Sequence, residues 1–220
     1  LGISEFFIHK GGFLNFTMLH SWKKDVEVEP KSVAVVEEGG VFISNYMNFK
    51  PVKKIVMYPT AILKGKNSRV RFNSIVVGFP DCYQDIGNRV IFAERGTSAE
   101  VISRAISLGG TVISRGNLKA ISPEVKGHLE CKGLVLSERG KIIAIPELET
   151  DFQDVELSHE AAIGKIRKEE IEYLSSRGIP EEEAQSIIIR GFMNTEILGL
   201  PEVIKKEIDK ITSELTQSPL

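Results

Sequence analysis

From Phe6 to about Leu157 the chain sets apolar and polar positions in short alternating runs: VAVVEE, GVFISN, KKIVMYP, RVRFNSIVVG, NRVIFAE, AEVISRAIS, TVISRG, HLECKGLVLS and KIIAIPE. Valine and isoleucine dominate them, and Gly, Asn, Asp or Pro separate them. That is the pattern of β-strands with one face buried. Few helical stretches intervene, so the region predicts a mainly β architecture: a sandwich, a barrel or a solenoid. Ser-Arg recurs at Ser68-Arg69, Ser103-Arg104 and Ser114-Arg115, and the stretch Glu100 to Ser137 repeats strand, small turn, strand. Stacked rungs of a parallel β-helix would read this way. The repeat is irregular, and pattern alone leaves the sandwich open.

After Ser158 the period changes to that of helices, dividing the chain into a β-region at 1–157 and a helical region at 158–220. Ser158 is the expected N-cap of a short turn through Ile166. Lys168 to Arg177 predicts a helix with Ile171 and Leu174 inward, stopped by Gly178. Pro180 opens the next, with Glu181, Glu182 and Glu183 at its positive end and Ala184, Ile187, Ile188 and Phe192 as its apolar face. Pro201 opens a last helix, with Ile204, Ile208, Ile211 and Leu215 at helical spacing.

Composition narrows the function classes. Charged residues are 26% of the chain and the net charge is −2, without the basic cluster that tracks a phosphate backbone, so nucleic acid is not an expected partner. No apolar run approaches the roughly 18 residues that span a bilayer, so no membrane is expected either. The opening segment lacks the features of a signal peptide. The first residue is Leu1 rather than Met, so residues upstream are not accounted for. Two cysteines, Cys82 and Cys131, make no disulfide framework, and a reducing cytoplasm is the expected location. Asn15-Phe16-Thr17 is formally a glycosylation sequon, idle in that compartment.

The chemistry-bearing candidates are few. His159 and Glu160 stand side by side, but position 163 is Ile163, so the His-Glu-x-x-His pattern of zinc proteases fails. Cys131 lies in GHLECKG, and on a strand Glu130 and Cys131 point to opposite faces. Glu160 lies 29 positions after Cys131 (160 − 131), a separation that stacked strands about 4.8 Å apart could bring together. A thiolate, an imidazole and a carboxylate would make a mixed soft and hard metal site. The bland readings are a buried Cys131, a His159 and Glu160 that serve a helix start, and an incidental Cys82 in a loop. GKNS at Gly65 to Ser68 lacks the earlier glycine of a phosphate loop, no G-x-S-x-G occurs, and no four-cysteine set exists for a thiolate-only cluster.

The runs TMLHSWKKDVEVEPKSVAVVEEGGVFISNY, CYQDIGNRVIFAERGTSAEVISRAIS and VKGHLECKGLVLSE resemble the SufB/SufD family, scaffold subunits of the SUF iron–sulfur cluster assembly system. The block SHEAAIGKI, followed by RGIPEEEA and IIIRGF, resembles it most specifically. The resemblance implies a right-handed parallel β-helix followed by a small helical region that binds a SufC-like ABC-type ATPase. It implies cluster assembly at Cys131 and Glu160, with His159 beside them. The acid of the His-Glu pair is typically absent from SufD, so the chain resembles SufB. Its length resembles the compact versions that work as a single scaffold, which implies a homodimer through the β-helix. A sulfur donor and apo-protein acceptors would be further partners.

The expectation is therefore a non-enzymatic scaffold that assembles and transfers a transient iron–sulfur cluster while its partner hydrolyses ATP. The alternative is a structural adaptor that dimerises through the β-helix and recruits the ATPase without metal. A metal-dependent sugar-modifying enzyme would need paired carboxylates on one solenoid face, and the β-region shows no convincing pair.

Overall fold

A computed structural model describes residues 2–193 together with Glu202, Lys206 and Lys210. Its strands are β1 (Ile3–Ile8), β2 (Phe13–His20), β3 (Glu27–Val28), β4 (Lys31–Val36), β5 (Val41–Asn48), β6 (Lys54–Met57) and β7 (Thr60–Leu63). There follow β8 (Arg69–Gly78), β9 (Tyr83–Phe92), β10 (Ser98–Ser107), β11 (Thr111–Ala120), β12 (Val125–Val135), β13 (Lys141–Thr150) and β14 (Val155–Gly164). Two helices follow, α1 (Lys168–Ser175) and α2 (Glu181–Met193).

Successive strands alternate between two parallel sheets. The first runs β1-β4-β7-β9-β11-β13, with β3 and β6 as short companions, and the second β2-β5-β8-β10-β12-β14. The result is a β-solenoid of about six turns, which decides against the sandwich. Ladder partners in the second sheet give the repeat: Arg69, Ser98, Lys126 and Glu156 stack, so the rungs measure 29, 28 and 30 residues (98 − 69, 126 − 98, 156 − 126). Such variation blurs the repeat in sequence. Prolines break the first sheet's early rungs. Pro30 separates β3 from β4, and Pro59 separates β6 from β7, because proline has no N–H for a ladder.

Alternation along each strand sends every second side chain into the coil. Inside, residues stack rung on rung. One column is Leu14, Phe42, Val70, Ala99, Gly127 and Leu157; another is Val36, Leu63, Phe92 and Ala120. Each column mixes large and small members, and each fully buried large side chain contributes roughly 1.5–3 kcal/mol. Glycine is required where rungs approach closely. A Cβ at Gly65 would lie 1.8 Å from the backbone nitrogen of Glu38, at a corner stacked on the corner before it.

The helices return to the outside of the coil. Ile189 and Met193 of α2 pack on Met47, Phe49, Ile75, Val77, Ile106 and Leu134 of the second sheet's outer face. Gly178 ends the α1 segment with φ +85°, the left-handed geometry expected of it.

Three local expectations change. Val155–Gly164 is strand β14, not a Ser158-capped turn, and it pairs with β12 from Val125↔Val155 to Leu134↔Gly164. The ladder overrides the modest helix preference of HEAAIG, so the 157/158 boundary falls within a strand and the helices begin at Lys168. The buried face of α2 carries Ala184, Ile189 and Met193 rather than Ile187, which is 41% exposed. The predicted last helix lies outside the described residues, apart from Glu202, Lys206 and Lys210, which are helical.

Candidate functional site

Cys131 faces the inside of the coil on β12. Its column runs Tyr46, Ser74, Ser103, Cys131, Ala161. It is 2% exposed and belongs to the main core cluster. The Ser114 hydroxyl lies 2.8 Å from Ser103 Oγ and 3.5 Å from Cys131 Sγ. Burial pushes the thiol above its ordinary value, and the Ser114 hydrogen bond offsets this only in part. That shift disfavours the thiolate, the form a metal ligand must take.

His159 and Glu160 sit on β14, the last strand of the second sheet. Register places His159 opposite Leu129 and Glu160 opposite Glu130. Alternation then puts His159 on the inward side, continuing the column Phe72, Val101, Leu129, and Glu160 on the outer face. Both are exposed, because no described strand follows β14 in its sheet. Cys131, His159 and Glu160 thus occupy adjacent rungs but do not meet on one face. The thiol and the carboxylate lie on opposite sides of the second sheet. Their expected convergence is not present in this conformation.

The outer face holds a different constellation. Ligand atoms of His128, Glu130 and Glu160 all lie within 4.8 Å of one another. Glu130 and Glu160 are direct ladder partners, a like-charge pairing that costs stability unless countered. Lys132 counters it, with its Nζ 2.6 Å from Glu130 and 3.3 Å from Glu160. Arg104 pairs with the other oxygen of Glu130, and its guanidinium stands 6.0 Å from the Phe192 ring centre on α2. Burial alone would raise the Glu130 carboxyl. The hydrogen bonds from Lys132 and Arg104 outweigh it and hold the group below the usual glutamate range. His128 Nδ1 lies 2.9 Å from Ser158 Oγ, which fixes the ring. A surface groove lined by Arg71, Glu100, Lys126, His128, Glu156 and Ser158 gives solvent access to this corner.

Cys82 lies at the corner before β9, 4% exposed. Burial raises its thiol as well, and among the described residues it belongs to no group of potential metal ligands.

Residues 1–192 match the family profile described as SUF system FeS cluster assembly, SufBD core domain. The chain belongs to the SufBD family. It is similar to an iron-sulfur cluster assembly SufBD family protein of Archaeoglobus fulgidus, 52% identical over 220 residues. A SufBD family protein of Methanothermobacter thermautotrophicus is 50% identical over 212 residues. The iron-sulfur cluster assembly protein SufB of Bacillus subtilis is 30% identical over 213. All, 96% and 95% of this chain are covered, but only 59%, 52% and 45% of the respective relatives. The chain therefore spans about half the length of these SufBD proteins.

Within this SufBD core, Arg104, His128, Glu130 and Lys132 are site residues that the sequence did not mark as ligands or their partners, although His128 and Glu130 stand just before Cys131 in GHLECKG. The signal was available: HLECK places His128, Glu130 and Lys132 two apart, on one face of a strand. What was missing was the register that stacks Glu160 on Glu130 rather than on Cys131.

Proposed function

We propose that the chain is a scaffold on which an iron–sulfur cluster is assembled and from which it is passed on. Cys131 supplies a thiolate and Glu160 a carboxylate, with His159 beside them, and a SufC-like ABC-type ATPase engages the helical region and hydrolyses ATP. The observation that carries the reading is the position of Cys131 one rung beneath the solenoid's last described rung, in a SufBD core. Cargo rather than resident cofactor suits this donor set, because a cluster held by few thiolates leaves readily.

Burial adds a requirement. Cys131 becomes a ligand only when the rung formed by β13 and β14 moves. That rung is suited to moving. All ten residues of β14 are exposed or half-buried, and β13 and β14 end their sheets among the described residues. It is also mechanically linked. α1 begins four residues after β14 (168 − 164), and α2 packs back on the sheet that contains β14. An ATPase that shifts the helices pulls on the rung covering the thiol, and differential affinity for the open form provides the driving force. The free ladder edges at this end also suit a second copy of the chain, as a homodimer through the solenoid. A sulfur donor and acceptor apo-proteins complete the cycle, in a reducing cytoplasm where both thiols stay free.

Anaerobic reconstitution with iron and sulfide tests the assignment. Thiolate-to-iron absorption bands are expected in the parent and weakened in Cys131→Ala and Glu160→Ala. Parent-like reconstitution by both variants overturns it. The sealed Cys131 favours a second reading, a metal-free adaptor that dimerises and recruits the ATPase. That reading expects full ATPase binding without iron and loss of binding in Ile187→Asp. Phe192 is a poor probe, because it packs against the sheet and Arg104.

A further inference from the structure

The outer-face constellation has a chemistry of its own. Two carboxylates stacked in register are a local conflict, held in place here by Lys132 and Arg104. An imidazole held by Ser158 stands with them, so the donor set is one nitrogen and two carboxylates. That set fits divalent ferrous iron, manganese, cobalt or zinc rather than a soft thiophilic ion. Lys132 places a positive charge in hydrogen-bond contact with both carboxylates, where a bound cation would lie. Its side chain is 32% exposed and its stem is long, so it can swing into solvent. Arg104 would stay on Glu130 and keep that carboxylate oriented.

We propose that His128, Glu130 and Glu160 form a divalent-cation site on the outer face of the second sheet, of the class that binds ferrous iron, and that Lys132 is its built-in competitor. Metal binding exchanges the ammonium for a dication. No bond is made or broken in the chain, and no electron moves. The two negative charges balance the incoming two positive ones. Lys132 and Arg104 make the site weak and therefore reversible, as a loading point for iron requires. The site shares Glu160 with the cluster reading but does not use Cys131.

Cobalt(II) titration of the full chain under anaerobic conditions tests it, read by visible absorption and calorimetry. One site with nitrogen–oxygen d–d bands and no thiolate-to-cobalt charge-transfer band is expected. Glu130→Gln and His128→Ala each weaken binding about tenfold or more, Ser158→Ala weakens it about tenfold, and Cys131→Ala leaves it unchanged. Lys132→Met tightens it several-fold, a gain that misfolding cannot mimic. Unchanged or weaker binding in Lys132→Met overturns the proposal, as does absence of cobalt binding in the parent. A charge-transfer band that disappears in Cys131→Ala also overturns it, while supporting the thiolate of the cluster reading. Conversely, cobalt binding as described together with failed cluster reconstitution would retain this site and discard the scaffold.

Discussion

If the last rung is a lid over Cys131, loosening it alone must expose that thiol. Leu157 is the handle. It is the inward residue of β14 that packs over Gly127, where an added Cβ would meet its Cδ2 at 2.8 Å. A fully buried leucine cut to alanine costs about 2–5 kcal/mol. Leu157 is half-buried, so about 1.5 kcal/mol is a fair estimate. At about 1.4 kcal/mol per factor of ten, Leu157→Ala raises the open population about tenfold if the cost falls on this rung. The assay is the rate of disulfide exchange with an aromatic disulfide reagent, with each thiol assigned in the Cys82→Ser and Cys131→Ser backgrounds. Cys131 should react about ten times faster in Leu157→Ala. Cys82 should not change, because fraying from this end must release two rungs to reach it. Equal acceleration of both thiols would mean global unfolding, and an unchanged Cys131 rate would mean that β14 is not its cover. Either result refutes the lid.

Gly65→Ala drives a Cβ into the Glu38 backbone and should cost more than about 3 kcal/mol by urea unfolding or prevent folding. Gly164→Ala meets nothing within 4 Å and should lie within about 0.5 kcal/mol of the parent. Arg115 grips Asp85 across two rungs through contacts of 2.6 and 2.9 Å. A double-mutant cycle over Arg115→Ala and Asp85→Ala should give only about 1 kcal/mol of coupling, because the arginine is 38% exposed. Burial pushes the Tyr58 phenol up to about 12 and Tyr46 further still. Their folded values exceed the unfolded one near 10, so the stability they contribute is complete below pH about 10 and is lost as pH rises through the folded values. The urea midpoint should fall from pH about 10 upward, and less steeply in Tyr58→Phe.

Much of the fold was legible in the sequence, and the reason is local. A strand with one face in a dry coil must alternate, and runs such as RVRFNSIVVG and TVISRG alternate visibly. Choosing a solenoid over a sandwich needed more than alternation, because rungs of 28, 29 and 30 residues do not repeat cleanly. The SHEAAIG stretch misled for an energetic reason. Its helix preference is worth tenths of a kcal/mol per residue, and a complete ladder on β12 outweighs it. The site followed the same logic. That Cys131 and Glu130 point apart could be read from parity alone. Which of them Glu160 would face depended on a shift of one residue in register, 30 positions instead of 29, and such a shift moves a side chain to the other side of the sheet.

Cluster assembly on Cys131 and movement of the last rung are one claim, and alkylation with hydrogen exchange on the same sample tests both. The protein is loaded anaerobically with iron and sulfide beside an apo control, alkylated in mild denaturant, and compared peptide by peptide. The account predicts that loading blocks alkylation of Cys131 but not of Cys82, and that amides of Val155–Gly164 exchange faster in the loaded protein. A loaded protein in which Cys131 alkylates as it does in the control, with β14 equally protected in both, would contradict it.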